Sequence, residues 1–102
     1  MKRDAADARF SLMIRERDRW TCQRCGAVHD SKSQGLHSAH MFSRGKLSTR
    51  FDAENACALC YGCHRYLDTH PTEKRVFWIE LIGQRRFEAL ELRSNTPREK
   101  SS

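Results

Sequence analysis

LHSAHMFSRGKLSTRFDAENACALCYGCHRYLD, residues 36–68, is the stretch on which the fold turns. LHSAHMF, residues 36–42, is short enough for a strand. ACALC follows a loop and predicts a second strand over 56–59, and YGCHRYLD predicts a helix from about 61. The loop between the strands carries Arg44, Lys46 and Arg50, with no acid between Met41 and Phe51. Three polar residues punctuate this strand–strand–helix order. Asn55 comes fifteen residues after His40, and His64 nine after Asn55, directly behind Cys60-x-x-Cys63.

The second half of that Cys-x-x-Cys signal lies upstream. Cys22-x-x-Cys25 and Cys60-x-x-Cys63 are separated by 34 residues. Two thiolate pairs supply four soft ligands for a tetrahedral structural zinc, each pair closing a tight knuckle. Cys57-x-x-Cys60 is a competing pair. Cys57 falls inside the strand-like ACALC, where it reads as a small buried hydrophobe. His29 is either a stray ligand or a loop residue on the surface.

The flanks read as helices. Over 4–19, Asp4 and Asp7 suit a helix N-terminus. Phe10, Met13, Ile14 and Arg17 follow i, i+3, i+4, i+7, an apolar stripe with a basic end. WTCQRCGAVHD is a tight turn closing on Gly26, and SKSQG is a polar loop. The second flank, 71–93, begins at Pro71, which suits a first helical turn. Phe77, Trp78, Leu81 and Ile82 form its stripe, and Gly83 ends or breaks it. QRRFEALELR predicts a last helix with Phe87 and Leu90 on one face, and SNTPREKSS, 94–102, a disordered tail.

With 102 residues, the chain suits one small domain over 1–93, whose modest core calls for a staple such as zinc. A charge of +6 favours a polyanionic partner, nucleic acid first. MKRDAADARF lacks the apolar core of a secretory signal, and no run approaches a membrane span. The expectation is a protein of the bacterial host cytoplasm without a membrane partner, where disulfides are disfavoured and paired cysteines read as metal ligands.

The combination of Ala39-His40, Asn55 and LCYGCH ending in His64 resembles the H-N-H motif of HNH endonucleases. The Cys-x-x-Cys pairs match that family's zinc-stapled branch, and residues 37–71 look most like small phage and prophage HNH proteins. The resemblance covers about residues 20–71. It implies a small zinc-stapled α+β domain with a ββα-metal (His-Me finger) core and flanking N- and C-terminal helices. By resemblance, His40 is the general base that deprotonates water for attack on a DNA phosphodiester. Asn55 holds the loop, and His64 ligates a catalytic divalent cation. Magnesium, manganese, zinc and nickel can all serve in such sites.

One position departs from the family pattern. Many members carry Asp or His immediately before the base, as a second metal ligand, and here that residue is Ala39. His37 is the obvious substitute, although strand alternation sends residues 37 and 40 to opposite faces, so this assignment calls for a bulge or an irregular strand. Asp68, four residues after His64 and on the same helix face, is another candidate, set against the plainer reading of a solvated charge. His70 is a weaker one, because Pro71 favours extended backbone before it.

Arg44, Lys46, Arg50 and Arg65 are candidates for DNA phosphate contact, with Arg50 singled out as a site residue because RFD precedes the Asn. Solubility charge is the competing reading, favoured for Lys46. Phe42, Phe51 and Tyr66 read as small-core residues rather than base-stacking platforms. Three functions compete: a metal-dependent endonuclease nicking or cleaving DNA, a non-catalytic zinc-binding DNA module, and a protein-interaction knuckle. The joint presence of His40, Asn55 and His64 favours the first, since a zinc ribbon requires none of them. No recognition helix is evident, so low intrinsic specificity is expected, with targeting by phage packaging or recombination proteins.

Overall fold

The computed structural model describes residues 5–43 and 45–96. Asp4, Arg44 and residues 97–102 of the expected tail lie outside them. The described elements are α1 (Ala5–Arg17), β1 (Leu36–His40), a 3-10 turn (Ala53–Asn55), β2 (Ala56–Cys60), α2 (Tyr61–Thr69), α3 (Pro71–Ile82) and α4 (Gln84–Asn95). The result is a small α+β domain around a two-stranded antiparallel sheet.

The strands pair in unbroken register from Leu36 opposite Cys60 to His40 opposite Ala56. Alternation therefore puts His37 and Ala39 on one face with Leu59 and Cys57, and Leu36, Ser38 and His40 on the other. α1 packs on the His40 face, where Phe10, Ile14 and Ala56 form a small buried cluster. The larger core joins Ala39, Cys57 and Leu59 to Leu67, Trp78, Phe87 and Leu90 of the three later helices. Trp78 is fully buried, and its indole N–H donates to the Glu54 carbonyl at 2.9 Å, so the ring goes in without a stranded donor.

β1 stops at His40, two residues short of the expected 42, because a side chain takes over the ladder's work. The backbone N–H of Phe42 donates to Asn55 Oδ1 at 2.8 Å and its carbonyl accepts from Asn55 Nδ2 at 3.0 Å. β2 runs one residue beyond its expected end, to Cys60, which also caps α2 by accepting at its sulfur from the Cys63 N–H. α4 continues through Asn95, two residues past the expected boundary, with Ser94 buried and its hydroxyl donating to the Glu91 carbonyl. Gly83, at φ 94°, separates α3 from α4 in a conformation that L side chains rarely adopt.

The buried stripe of α1 differs from the apolar one in its sequence. Asp7, Phe10, Ser11 and Ile14 face inward, whereas Met13 is exposed. Arg17 stays exposed, its guanidinium donating to the carbonyls of Ala53 and Ala56. Asp18 accepts the Ala58 N–H at 2.8 Å, and the Gln23 N–H donates to the Ala58 carbonyl, so the outer edge of β2 is covered. Among the described residues, no helix is long and apolar enough to cross a membrane.

Candidate functional site

The cysteine knuckle is built from local geometry. Cys22 and Ala27 bond across the first turn, and the Gly26 N–H donates to the Cys22 carbonyl with Gly26 at φ 80°. The N–H of Cys25 points at Cys22 Sγ and that of Cys63 at Cys60 Sγ, each at 3.4 Å. The sulfurs of Cys22, Cys25, Cys60 and Cys63 all lie within 4.8 Å of one another, and Cys25 and Cys60 are 3.8 Å apart. Four thiolates about 2.3 Å from one zinc ion stand about 3.8 Å apart along each tetrahedral edge, so these residues fit a structural zinc.

Burial pushes the Cys22 thiol up, but backbone N–H groups around it bring it down to about 6. Cys63 is pushed up to about 12, first by burial, against the pull of the Arg24 guanidinium 3.5 Å from its sulfur. Cys57 is fully buried apart from this cluster, and burial pushes its thiol up. His29 is also apart, its ring against the Ala27 carbonyl at 3.2 Å.

A second feature is an open cleft of about 910 Å³ along the free edge of β1. Leu36, His37, Ser38 and His40 line it together, so side chains from both faces of the strand border the same space. No bulge is needed. His37 meets α2 on one side, His40 meets α1 on the other, and the cleft wraps the edge between them.

On the α2 side, His37 Nδ1 lies 2.9 Å from His64 Nδ1, with the rings nearly perpendicular. His64 Nε2 lies 3.3 Å from Asp68 Oδ2, and Lys74 Nζ donates to Asp68 Oδ1 at 2.9 Å. A carboxylate beside Nε2 favours the hydrogen on that nitrogen, which turns the lone pair of His64 Nδ1 toward His37. Asp68 therefore sits behind His64 instead of joining the two Nδ1 atoms. Burial lowers the His64 pKa, with Asp68 opposing and His37 reinforcing, so the ring is neutral at pH 7. Among the described residues, the four cysteines are the one group of three or more such donors that converges. His70 is elsewhere, stacked on Tyr66 with Nδ1 against the Tyr66 carbonyl.

On the α1 side, His40 Nε2 lies 3.0 Å from the Arg50 carbonyl. A carbonyl can only accept, so Nε2 carries the hydrogen and the neutral ring holds its lone pair on Nδ1. Asn55 is fully buried and holds both ends of the intervening loop, donating to the carbonyls of Phe42 and Thr49 and accepting from the Phe42 N–H.

The basic candidates are scattered. The Arg50 guanidinium is not turned to solvent as expected of a phosphate clamp, but is paired with the buried Asp7 carboxylate through Nε and Nη2. Lys46 donates to the Asn95 side chain of α4, and Arg65 to the Tyr61 hydroxyl. The cleft's own cations are Arg15, Lys32 and Lys74, which sequence reasoning missed. They come from three separate segments, and no motif joins them. Of the aromatics, Phe42 packs on Phe87 and Tyr66 against the core, whereas Phe51 is 46 % exposed, contrary to a core assignment, with its ring edge-on to Phe10.

The sequence model described as Bacteriophage Lambda NinG protein matches residues 3–102. No curated protein and no solved structure matches the chain.

Proposed function

The chain belongs to the family of the bacteriophage lambda NinG protein, a family of small phage proteins, and from that premise we propose that it is a metal-dependent HNH endonuclease that hydrolyses DNA phosphodiester bonds in the host cytoplasm. The observation that carries this reading is the gathering of His37, His40 and His64 in one open cleft, with His40 oriented by a backbone carbonyl. On this reading β1, β2 and α2 form the ββα-metal finger.

His40 Nδ1 accepts a proton from water, and the water oxygen bonds to phosphorus opposite the 3′ oxygen. The P–O3′ bond breaks and the leaving oxygen takes up a proton, giving a 5′-phosphate and a 3′-hydroxyl. Asn55 keeps the loop closed so that the Arg50 carbonyl stays under the ring. Arg15 and Lys32 supply positive charge along the cleft for the phosphate backbone, while Lys74 is paired with Asp68.

His37 and His64 are the residues that would hold the divalent cation. Two imidazole nitrogens about 2.1 Å from one ion stand about 3.0 Å apart at a right angle and about 3.4 Å apart at the tetrahedral angle, so the 2.9 Å between the two Nδ1 atoms suits adjacent octahedral positions and needs a small opening for tetrahedral zinc. A bound cation would neutralise charge growing on the phosphate and the leaving oxygen. A donor set of two imidazoles suits zinc or nickel better than magnesium, which prefers oxygen. DNA is the substrate, and phage packaging or recombination proteins supply targeting.

Plasmid relaxation tests the proposal. Zinc-loaded wild type, His40→Ala and His37→Ala are incubated with supercoiled DNA in magnesium, manganese, zinc or nickel. Nicking by wild type, lost in His40→Ala, supports the reading, and its survival in folded His40→Ala would sink the role of the base. One observation favours a second reading, a non-catalytic zinc-binding DNA or protein module: no third donor converges with His37 and His64 among the described residues. Absence of nicking in every metal, from protein that retains its zinc, would select that reading.

A further inference from the structure

Asp7 is a buried carboxylate that the proposed chemistry leaves unused. It lies in α1, a helix that the sequence presents as packing alone. Its two oxygens take the Arg50 guanidinium side-on, through Nε at 3.1 Å and through Nη2. Arg50 is also the residue whose carbonyl accepts from His40 Nε2 at 3.0 Å. Three residues further along α1, Phe10 packs against the His40 ring with centroids 5.8 Å apart. α1 therefore contacts both the imidazole and the side chain of the residue whose carbonyl orients it.

We propose that the Asp7–Arg50 ion pair is a positioning element for His40, fixing the Arg50 carbonyl under Nε2 and so fixing which ring nitrogen is presented to the cleft. Its effect on rate rests on the nuclease reading, but its effect on the imidazole does not. Buried ion pairs are poor sources of net stability, because desolvation offsets most of the attraction, so a geometric role suits this one better. The loop is tied from the other side by Asn55, which donates to the Thr49 carbonyl at 3.0 Å. The Thr49 carbonyl and the Arg50 guanidinium are thus tied to different elements on either side of the Arg50 carbonyl, which limits its movement. Without Asp7, the guanidinium loses that partner, the carbonyl is released, and the ring samples both tautomers.

The test compares wild type, Asp7→Ala, Asp7→Asn and Asp7→Glu, all zinc-loaded and checked for folding by thermal denaturation. Ring ¹⁵N shifts of His40 report the tautomer, and plasmid nicking gives kcat and KM. The expected wild-type ring carries its hydrogen on Nε2. Asp7→Ala is expected to mix the tautomers and lower kcat by on the order of 100-fold with KM little changed, the scale of a small misplacement of a reacting group. Asp7→Glu, which restores the charge, should recover much of both. A folded Asp7→Ala protein with wild-type His40 shifts would overturn the proposal. Should Asp7→Ala fail to fold, Asp7→Asn keeps the side-chain shape without the charge, and an unaltered tautomer there would overturn it equally. Nicking absent from every protein, wild type included, would remove the nuclease reading while the ¹⁵N shifts still decide the positioning role.

Discussion

In the cysteine knuckle, each pair of ligands closes its own turn: Cys22 with Cys25 and Cys60 with Cys63, each held by an N–H···S contact at 3.4 Å. In the histidine cleft, the contacts that bring the imidazoles together run between elements. His37 comes from β1 and His64 from α2, 27 residues apart, and His40 is oriented by a carbonyl ten residues away. The knuckle is gathered by local backbone geometry and needs tertiary structure only to bring two halves together. The cleft is made entirely by tertiary structure. The first should therefore fail all at once when a ligand is lost, and the second by degrees.

Cys60→Ser tests the abrupt failure and carries the largest expected effect. Structural zinc contributes about 10–16 kcal/mol of apparent folding energy in small zinc domains. That is as large as the roughly 5–15 kcal/mol by which a whole domain is stable. The variant is expected to lose its zinc, read by metal analysis, and its cooperative unfolding transition, read by circular dichroism. A folded Cys60→Ser protein would mean that the knuckle does not staple the domain.

Asn55→Ala is the next largest, and the first test of gradual failure. The substitution removes three hydrogen bonds and strands the Phe42 N–H and the carbonyls of Phe42 and Thr49. At about 1–3 kcal/mol for each stranded buried group, partly relieved by relaxation, a loss of about 3–5 kcal/mol is expected. Urea unfolding measures it, and zinc content should be unchanged because Asn55 lies outside the knuckle. Loss of zinc together with stability would show that the two regions are one cooperative unit.

Asp68→Asn acts on the cleft alone. An outer carboxylate that orients a ligating imidazole typically accounts for 10–100-fold in metal affinity. Titration of nickel into zinc-loaded protein should weaken by about that factor, with the melting temperature little changed, since Asp68 is 48 % exposed. Unaltered affinity would detach Asp68 from the metal reading.

The same contrast explains what the sequence made legible. Spacing singled out the cysteine pairs, and the strand-like setting of Cys57 chose Cys60/Cys63 over Cys57/Cys60, the set whose sulfurs the structure brings within 4.8 Å of one another. Helix ends at Pro71 and Gly83 were readable from residue type, since each restricts the backbone at its own position. The end of β1 was not readable, because it depends on the Asn55 side chain thirteen residues away. The partner of Arg50 was not readable either, because Asp7 lies 43 positions earlier in the chain. Strand alternation does send His37 and His40 to opposite faces, and what the sequence did not show is that one open cleft follows the strand's edge and is lined by both.

Cys57→Ala has the smallest expected effect and sharpens the knuckle side of the comparison. By spacing, Cys57-x-x-Cys60 competes with Cys60-x-x-Cys63 for the second half of the site. The register settles where the sulfurs stand: Cys57 pairs opposite Ala39 inside the sheet and is fully buried, while Cys60 ends β2 and caps α2. A strand residue three positions from Cys60 cannot use the N–H···S turn that the Cys63 backbone makes at the start of a helix. Cys57 then contributes as a small apolar group, and trimming its sulfur costs about 1 kcal/mol of packing. Zinc content should stay at the wild-type value and the unfolding midpoint should fall slightly. A variant that loses zinc would reassign the ligand and, with it, the turn that starts α2.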